Sequence, residues 1–147
     1  METKKLTAKD LMVGDYVYST FSDKPCKVQA IELSEHEYCS VRVSGVEGVK
    51  DIVSLSLIPL TAEILEKNGF SELMLHDEWS RIFRAYLDDL FIEVGIYEPM
   101  FINIGYVDKE GEEQPLSDIV KVHGENFYLH ELQHALRLCG VDKEIVL

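Results

Sequence analysis

In the first third of the chain, apolar and polar residues alternate with period two. Cys26-Lys27-Val28-Gln29-Ala30-Ile31 and Tyr38-Cys39-Ser40-Val41-Arg42-Val43 each put every second side chain on one face, as half-buried strands do. Gly14-Asp15 reads as a turn ahead of a strand through Tyr16-Val17-Tyr18, and Ser22 to Pro25, Ser34 to Glu37 and Gly45 to Gly48 supply further turns. Val49 to Leu57 reads as one more strand. Short strands so closely spaced by tight turns predict a small closed or nearly closed β-barrel.

The period changes after Pro59. Ala62-Glu63-Ile64-Leu65-Glu66-Lys67 predicts a short helix with Thr61 as N-cap, Leu60 and Leu65 as a hydrophobic staple, and Asn68-Gly69 as its end. Residues 73–91 fit two patterns. Trp79, Ile82, Phe83, Tyr86, Leu87, Leu90 and Phe91 recur at helical spacing with Asp77 as a cap, and they also fit a hairpin turning at Asp88-Asp89. Leu90 to Val107 predicts two strands broken at Glu98-Pro99, rich in Ile, Phe, Val and Tyr. If Leu90 to Tyr106 leaves an exposed edge, a homodimer follows. Lys109 to Glu113 is a solvated turn, Asn126 to Cys139 a helix ending at Gly140, and the tail from Val141 to Leu147 packs back through its apolar residues.

Charge sharpens this division. The 147 residues carry a net charge of −13. Residues 1–58 hold 7 basic and 9 acidic side chains, a net of −2, and residues 59–147 hold 7 and 18, a net of −11. Loose binding to nucleic acid is therefore disfavoured for residues 59–147 and stays open for residues 1–58, where Lys24, Lys27, Arg42 and Lys50 could touch phosphate. A basic protein partner suits the second half, with an acidic surface imitating DNA as its extreme form. Three cysteines without a CxxC pair, Cys26, Cys39 and Cys139, give neither a disulfide framework nor a zinc ribbon. They read as small apolar core residues of a reduced, cytoplasmic protein. The N-terminus has no apolar signal core, and no stretch is predicted to span a bilayer.

One motif points to an enzyme. His130-Glu131-Leu132-Gln133-His134 matches H-E-x-x-H, in which two histidines one helical turn apart hold zinc and the glutamate activates its bound water. In a chain with 5 His and 17 Glu the pattern arises by chance about 2 % of the time, so the match alone is weak. Catalytic zinc needs a third protein ligand. Glu144 lies close to the chain end, and His123 or Glu125 would serve only in an unfamiliar arrangement. Leu129, Leu132, Ala135, Leu136 and Cys139, with Tyr128, form an apolar stripe that turns both histidines outward. Phe127 and Leu138 border that histidine face. The carboxylates at Asp88-Asp89 and at Glu110, Glu112 and Glu113 read as turn residues, because neither set has the ligand spacing of a cation loop. Gly45 to Gly48 lacks the ending of a phosphate loop.

Three blocks carry a resemblance. Leu11 to Tyr18, Ile58 to Phe70, and Leu129 to Leu136 with Gly140 resemble, in the same order, a group of small uncharacterised proteins of gut anaerobes, often encoded in phage-like or mobile regions. The resemblance implies an α+β protein: an N-terminal SH3-like small β-barrel over residues 1–58, then an α+β domain over residues 59–147. That domain has a short entry helix, a small antiparallel sheet and a C-terminal helix. The resemblance favours the hairpin over the helix for residues 79–97, and it transfers no catalytic residue. The leading reading is a non-enzymatic binding or adaptor protein that meets a protein partner through its acidic α+β domain, without cofactor. The alternative is a zinc-dependent hydrolase with His130 and His134 as ligands and Glu131 as base.

Overall fold

The computed structural model describes residues 6–33, 39–73, 81–96, 100–121 and 127–147. The chain forms two compact units, Met1–Ile58 and Pro59–Leu147. Each carries one five-stranded sheet in which every pairing is antiparallel, so the class is α+β.

The first sheet contains β1 (Tyr16–Ser19), β2 (Cys26–Leu33), β3 (Cys39–Val43), β4 (Lys50–Asp51) and β5 (Leu55–Leu57), in the order β4-β3-β2-β1-β5. The period-two alternation is expressed directly. Val17, Cys26, Val28, Val41 and Val43 point inward and form a core with Leu11, Ile52 and Leu55. The Gly14-Asp15 turn is a latch. Gly14 takes the left-handed conformation at φ 94°. The fully buried Asp15 accepts the Met12 N–H on its carboxylate at 2.8 Å and the Val28 N–H on its carbonyl at 2.9 Å. The predicted strand over Val49 to Leu57 breaks in two. A 3-10 turn at Ile52–Ser54 intervenes, with the Asp51 carboxylate accepting the Val53 N–H at 3.1 Å and Ile52 sinking into the core. No pairing joins β4 to β5 among the described residues, so the sheet is not closed into the expected barrel.

The second unit opens with α1 (Ala62–Lys67). The Thr61 hydroxyl accepts the Ile64 N–H at 3.3 Å, and Leu60 and Leu65 are both buried, as a staple requires. Five strands follow as a simple meander: β6 (Ser71–Glu72), β7 (Ile82–Leu87), β8 (Leu90–Gly95), β9 (Phe101–Val107) and β10 (Glu113–Val120). The hairpin reading holds over the described residues, with Asp88 at φ 51° in the turn between β7 and β8. Asp77 and Trp79 lie outside the described residues. The edge expectation is corrected: β8 and β9 are interior strands, and the edges are β6 and β10.

One face of this meander is apolar. Phe83, Ala85, Ile92, Val94, Ile102 and Ile104 are all buried, and α2 (Leu129–Leu138) packs against β9. The tail folds back as predicted through Ile145, which is buried, but its fixation is polar. The Asn68 amide donates to Ile64 O at 2.7 Å and Val146 O at 2.9 Å, while its Oδ1 accepts the Val146 N–H at 2.8 Å. No helix among the described residues is long and apolar enough to cross a membrane.

Candidate functional site

The H-E-x-x-H residues all fall on α2, as the sequence predicts, but not in the predicted orientation. His130 and Gln133 are both buried, at 6 % exposure, beside the apolar stripe of Leu129, Leu132, Ala135 and Leu136. Only the ridge opposite is open, and there Leu138 is 84 % exposed. Burial is thus centred closer to His130 than the apolar stripe alone indicates. The His130 and His134 rings meet edge to face with centroids 5.2 Å apart, and the Tyr128 ring lies 6.2 Å from His130.

Glu131 is engaged within its own helix start. It is the third residue of α2, where its Oε2 accepts the N–H of the N-cap Tyr128 at 2.8 Å. This satisfies a donor that the helix start leaves orphaned. Its Oε1 pairs with Lys121 Nζ at 2.6 Å, and Lys121 in turn lies over the Phe127 ring. One carboxylate oxygen thus caps α2 and the other stitches its start to the residue that follows β10. Among the described residues no group of three or more His, Cys, Asp or Glu is arranged to hold a metal ion. Glu144 is exposed in the tail, and His123 and Glu125 lie outside the described residues.

Two of the cysteines are pushed away from thiolate formation. Burial pushes the Cys39 thiol up, with the Asp51 charge adding to it, and burial does the same for Cys139. Both shifts oppose the thiolate that nucleophilic chemistry needs. Cys26 and Cys39 are buried, Cys139 is half-buried, and all three are free.

Comparison with family models, with curated proteins and with solved structures gives no match. What this chain offers a ligand is therefore read from its own surfaces, and two stand out in the second unit.

The first is a polar row on the sheet face opposite the apolar core. Arg84, Glu93, Asn103 and Asp118 are direct cross-strand neighbours on β7, β8, β9 and β10. Arg84 bonds Glu93, Glu113 and the Tyr86 hydroxyl, and its guanidinium lies over the Tyr86 and Phe91 rings. Burial alone would lower its pKa, but the hydrogen bonds it donates to Tyr86, Glu93 and Glu113 outweigh that and raise it. Both terminal nitrogens of this arginine are engaged, its Nε is buried without a hydrogen-bond partner, and it organises the face.

The second is the acidic end of the sheet. The Val107 N–H donates to Asp89 O at 2.7 Å, which ties the β7–β8 turn to the β9–β10 turn. The tie gathers Asp88, Asp89, Asp108, Glu110, Glu112 and Glu113 at one end, with Lys109 and the engaged Arg84 as the basic residues there. Asp108 is structural. Its carboxylate accepts the Glu112 N–H at 2.8 Å, the Gln114 amide at 3.0 Å and the Glu110 N–H at 3.0 Å, which hold it below the usual carboxylate range. Asp88, Asp89, Glu110 and Glu112 face solvent, flanked by Tyr86 at 60 % and Tyr106 at 40 % exposure.

Sequence reasoning took these acids as two separate solvated turns. Adjacency was missed because it depends on β8 pairing with β9. The polar row had a signal in the alternation of Ile82, Arg84 and Tyr86, which the competing helical period hid.

Proposed function

We propose that this chain is a non-enzymatic binding protein whose acidic second unit takes a basic protein partner. The observation that carries the reading is the Val107–Asp89 hydrogen bond, which turns two ordinary acidic turns into one continuous anionic surface. Four exposed carboxylates can bond Lys and Arg side chains, and the rings of Tyr86 and Tyr106 can receive cations on their faces. The surface is polar and rim-like, so it governs encounter rate and partner choice more than residence time.

The zinc alternative draws less support, because both oxygens of Glu131 are engaged in holding α2. The SH3-like reading of the first unit is supported by the strand order, with β1 between β2 and β5, and by the 3-10 turn linking β4 to β5. Its free thiols fit a reducing compartment such as the cytoplasm.

The test is a titration of the full chain with a Lys/Arg-rich peptide, beside a variant carrying Asp88→Asn, Asp89→Asn, Glu110→Gln and Glu112→Gln. Saturable binding that weakens at least tenfold in the variant supports the reading, since four charge-assisted contacts are lost. Equal affinity in both proteins would place the contact elsewhere.

A further inference from the structure

We propose that the outer face of the first sheet binds single-stranded nucleic acid through Tyr18, Lys27 and Arg42. This surface is independent of the acidic end of the second unit, and either can fail without the other.

Strand register builds the face. On β1, Val17 and Ser19 are buried, so Tyr16 and Tyr18 project together to the other side, where Tyr18 is 42 % exposed. Tyr16 is opposite Lys27 on β2, and the Lys27 ammonium sits 5.2 Å from the centroid of the Tyr16 ring. Ser44 lies beside Lys27: its N–H donates to Lys27 O at 2.9 Å, and its hydroxyl accepts the Lys27 N–H at 2.8 Å. Arg42, two residues back from Ser44 on β3, is exposed between the buried Val41 and Val43 and so shares that face. Among the described residues, the strand positions in the band from Tyr18 through Tyr16 and Lys27 to Arg42 include no carboxylate. The nearest acids in the ladder, Glu32 and Asp51, are both opposite Ser40, one step beyond Arg42.

The chemistry selects the ligand. An open aromatic ring on β1 and cations on β2 and β3 of the same face suit a chain with phosphates and free base faces, because stacking on the ring tolerates any base. A duplex keeps its bases stacked away from a flat sheet. An acidic peptide would use the cations but leave the Tyr18 ring idle. Lys27, held on Tyr16, and Arg42 would each meet a phosphate while a base lies on Tyr18. The net of −2 over residues 1–58 permits this local attraction, whereas the −11 of residues 59–147 would oppose it elsewhere.

The experiment is fluorescence anisotropy with the full chain and fluorescein-labelled oligo-uridylate or oligo-thymidylate of about twelve nucleotides. Saturable binding is expected, weakening roughly sevenfold between about 50 and 200 mM salt for two phosphate contacts on a single strand. Tyr18→Ala weakens it roughly tenfold, and Tyr18→Phe, which keeps the ring, restores it. Arg42→Ala cuts the salt effect to roughly threefold over the same range. Lys50→Ala changes little, since Lys50 pairs opposite Val41 on the other face and sits over Phe21. No binding up to about 1 mM protein at low salt overturns the proposal. So does binding that is insensitive to Tyr18→Ala and is displaced equally well by poly-Glu of matched charge. Preference between the two oligonucleotides separates RNA from DNA, and binding to either supports the face.

Discussion

Replacing Glu131 separates the structural account of α2 from the catalytic one. In Glu131→Ala the Tyr128 N–H loses its acceptor and Lys121 loses its partner. A lost helix cap costs about 1 kcal/mol. The Lys121 pair is 19 % and 26 % exposed at its two side chains, more enclosed than a surface pair, and contributes about 1 kcal/mol at the top of the range for such pairs. The alanine variant therefore loses about 2 kcal/mol. Glu131→Gln keeps an amide oxygen for the cap and loses only the ion pair, about 1 kcal/mol. With a urea slope of about 2 kcal/mol/M the midpoint falls by about 1 M in the first variant and about 0.5 M in the second. Far-UV circular dichroism of the full chain follows the transition. Lys121→Met should cost about as much as Glu131→Gln, and the two together little more than either, because they break one interaction. If Glu131→Ala leaves the midpoint unmoved, the stitching of β10 to α2 is wrong. If Glu131→Gln costs as much as Glu131→Ala, the cap assignment is wrong.

Other perturbations reach other parts of the fold. Asn68→Ala removes three hydrogen bonds at a buried site and should cost about 2–3 kcal/mol in urea unfolding. It should also expose residues 141–147 to carboxypeptidase at concentrations that spare the parent chain. Gly105→Ala would set a methyl group 2.4 Å from Gln114 O and 2.5 Å from the Phe91 ring, a clash with backbone that cannot yield, and should lower stability by about 2–3 kcal/mol in urea unfolding. Asp108 is held below its usual pKa, so its contribution is fully present above the unfolded value and is lost as pH falls through the lower folded value. Asp108→Asn should therefore destabilise at neutral pH and flatten the acid limb of a stability–pH curve. An acid limb as steep as the parent's would contradict the hydrogen bonds assigned to it.

Legibility in the sequence followed how local the governing interactions were. The first three strands of the first unit, the Thr61 cap, the Leu60–Leu65 staple and the stop at Gly69 and Gly140 depend on neighbours a few residues away, and each appears where the pattern put it. The β7–β8 hairpin sided against the helical period because cross-strand pairing with β9 outweighs local preference. Strand β10 left no usable pattern. It is an edge strand with Pro115 and a bulge between Pro115 and Ser117, and Leu116 and Val120 are exposed rather than alternating with a buried set. The orientation of His130 was misjudged for a similar reason. A helix wheel weighs apolar side chains only, and here His130 and Gln133 are buried as well. The acidic end was invisible because it depends on the long-range pairing of β8 with β9, closed at that end by the Val107–Asp89 hydrogen bond.

The central claim is that a basic partner meets the joined turns at the acidic end of the second sheet. Amide chemical-shift mapping of the full chain during titration with a Lys/Arg-rich peptide tests this most directly. Saturable shifts are expected at residues 86–90 and 106–113, shrinking as salt is raised. Shifts that cluster instead around His130 and His134, or no saturable shift at low salt, would contradict it.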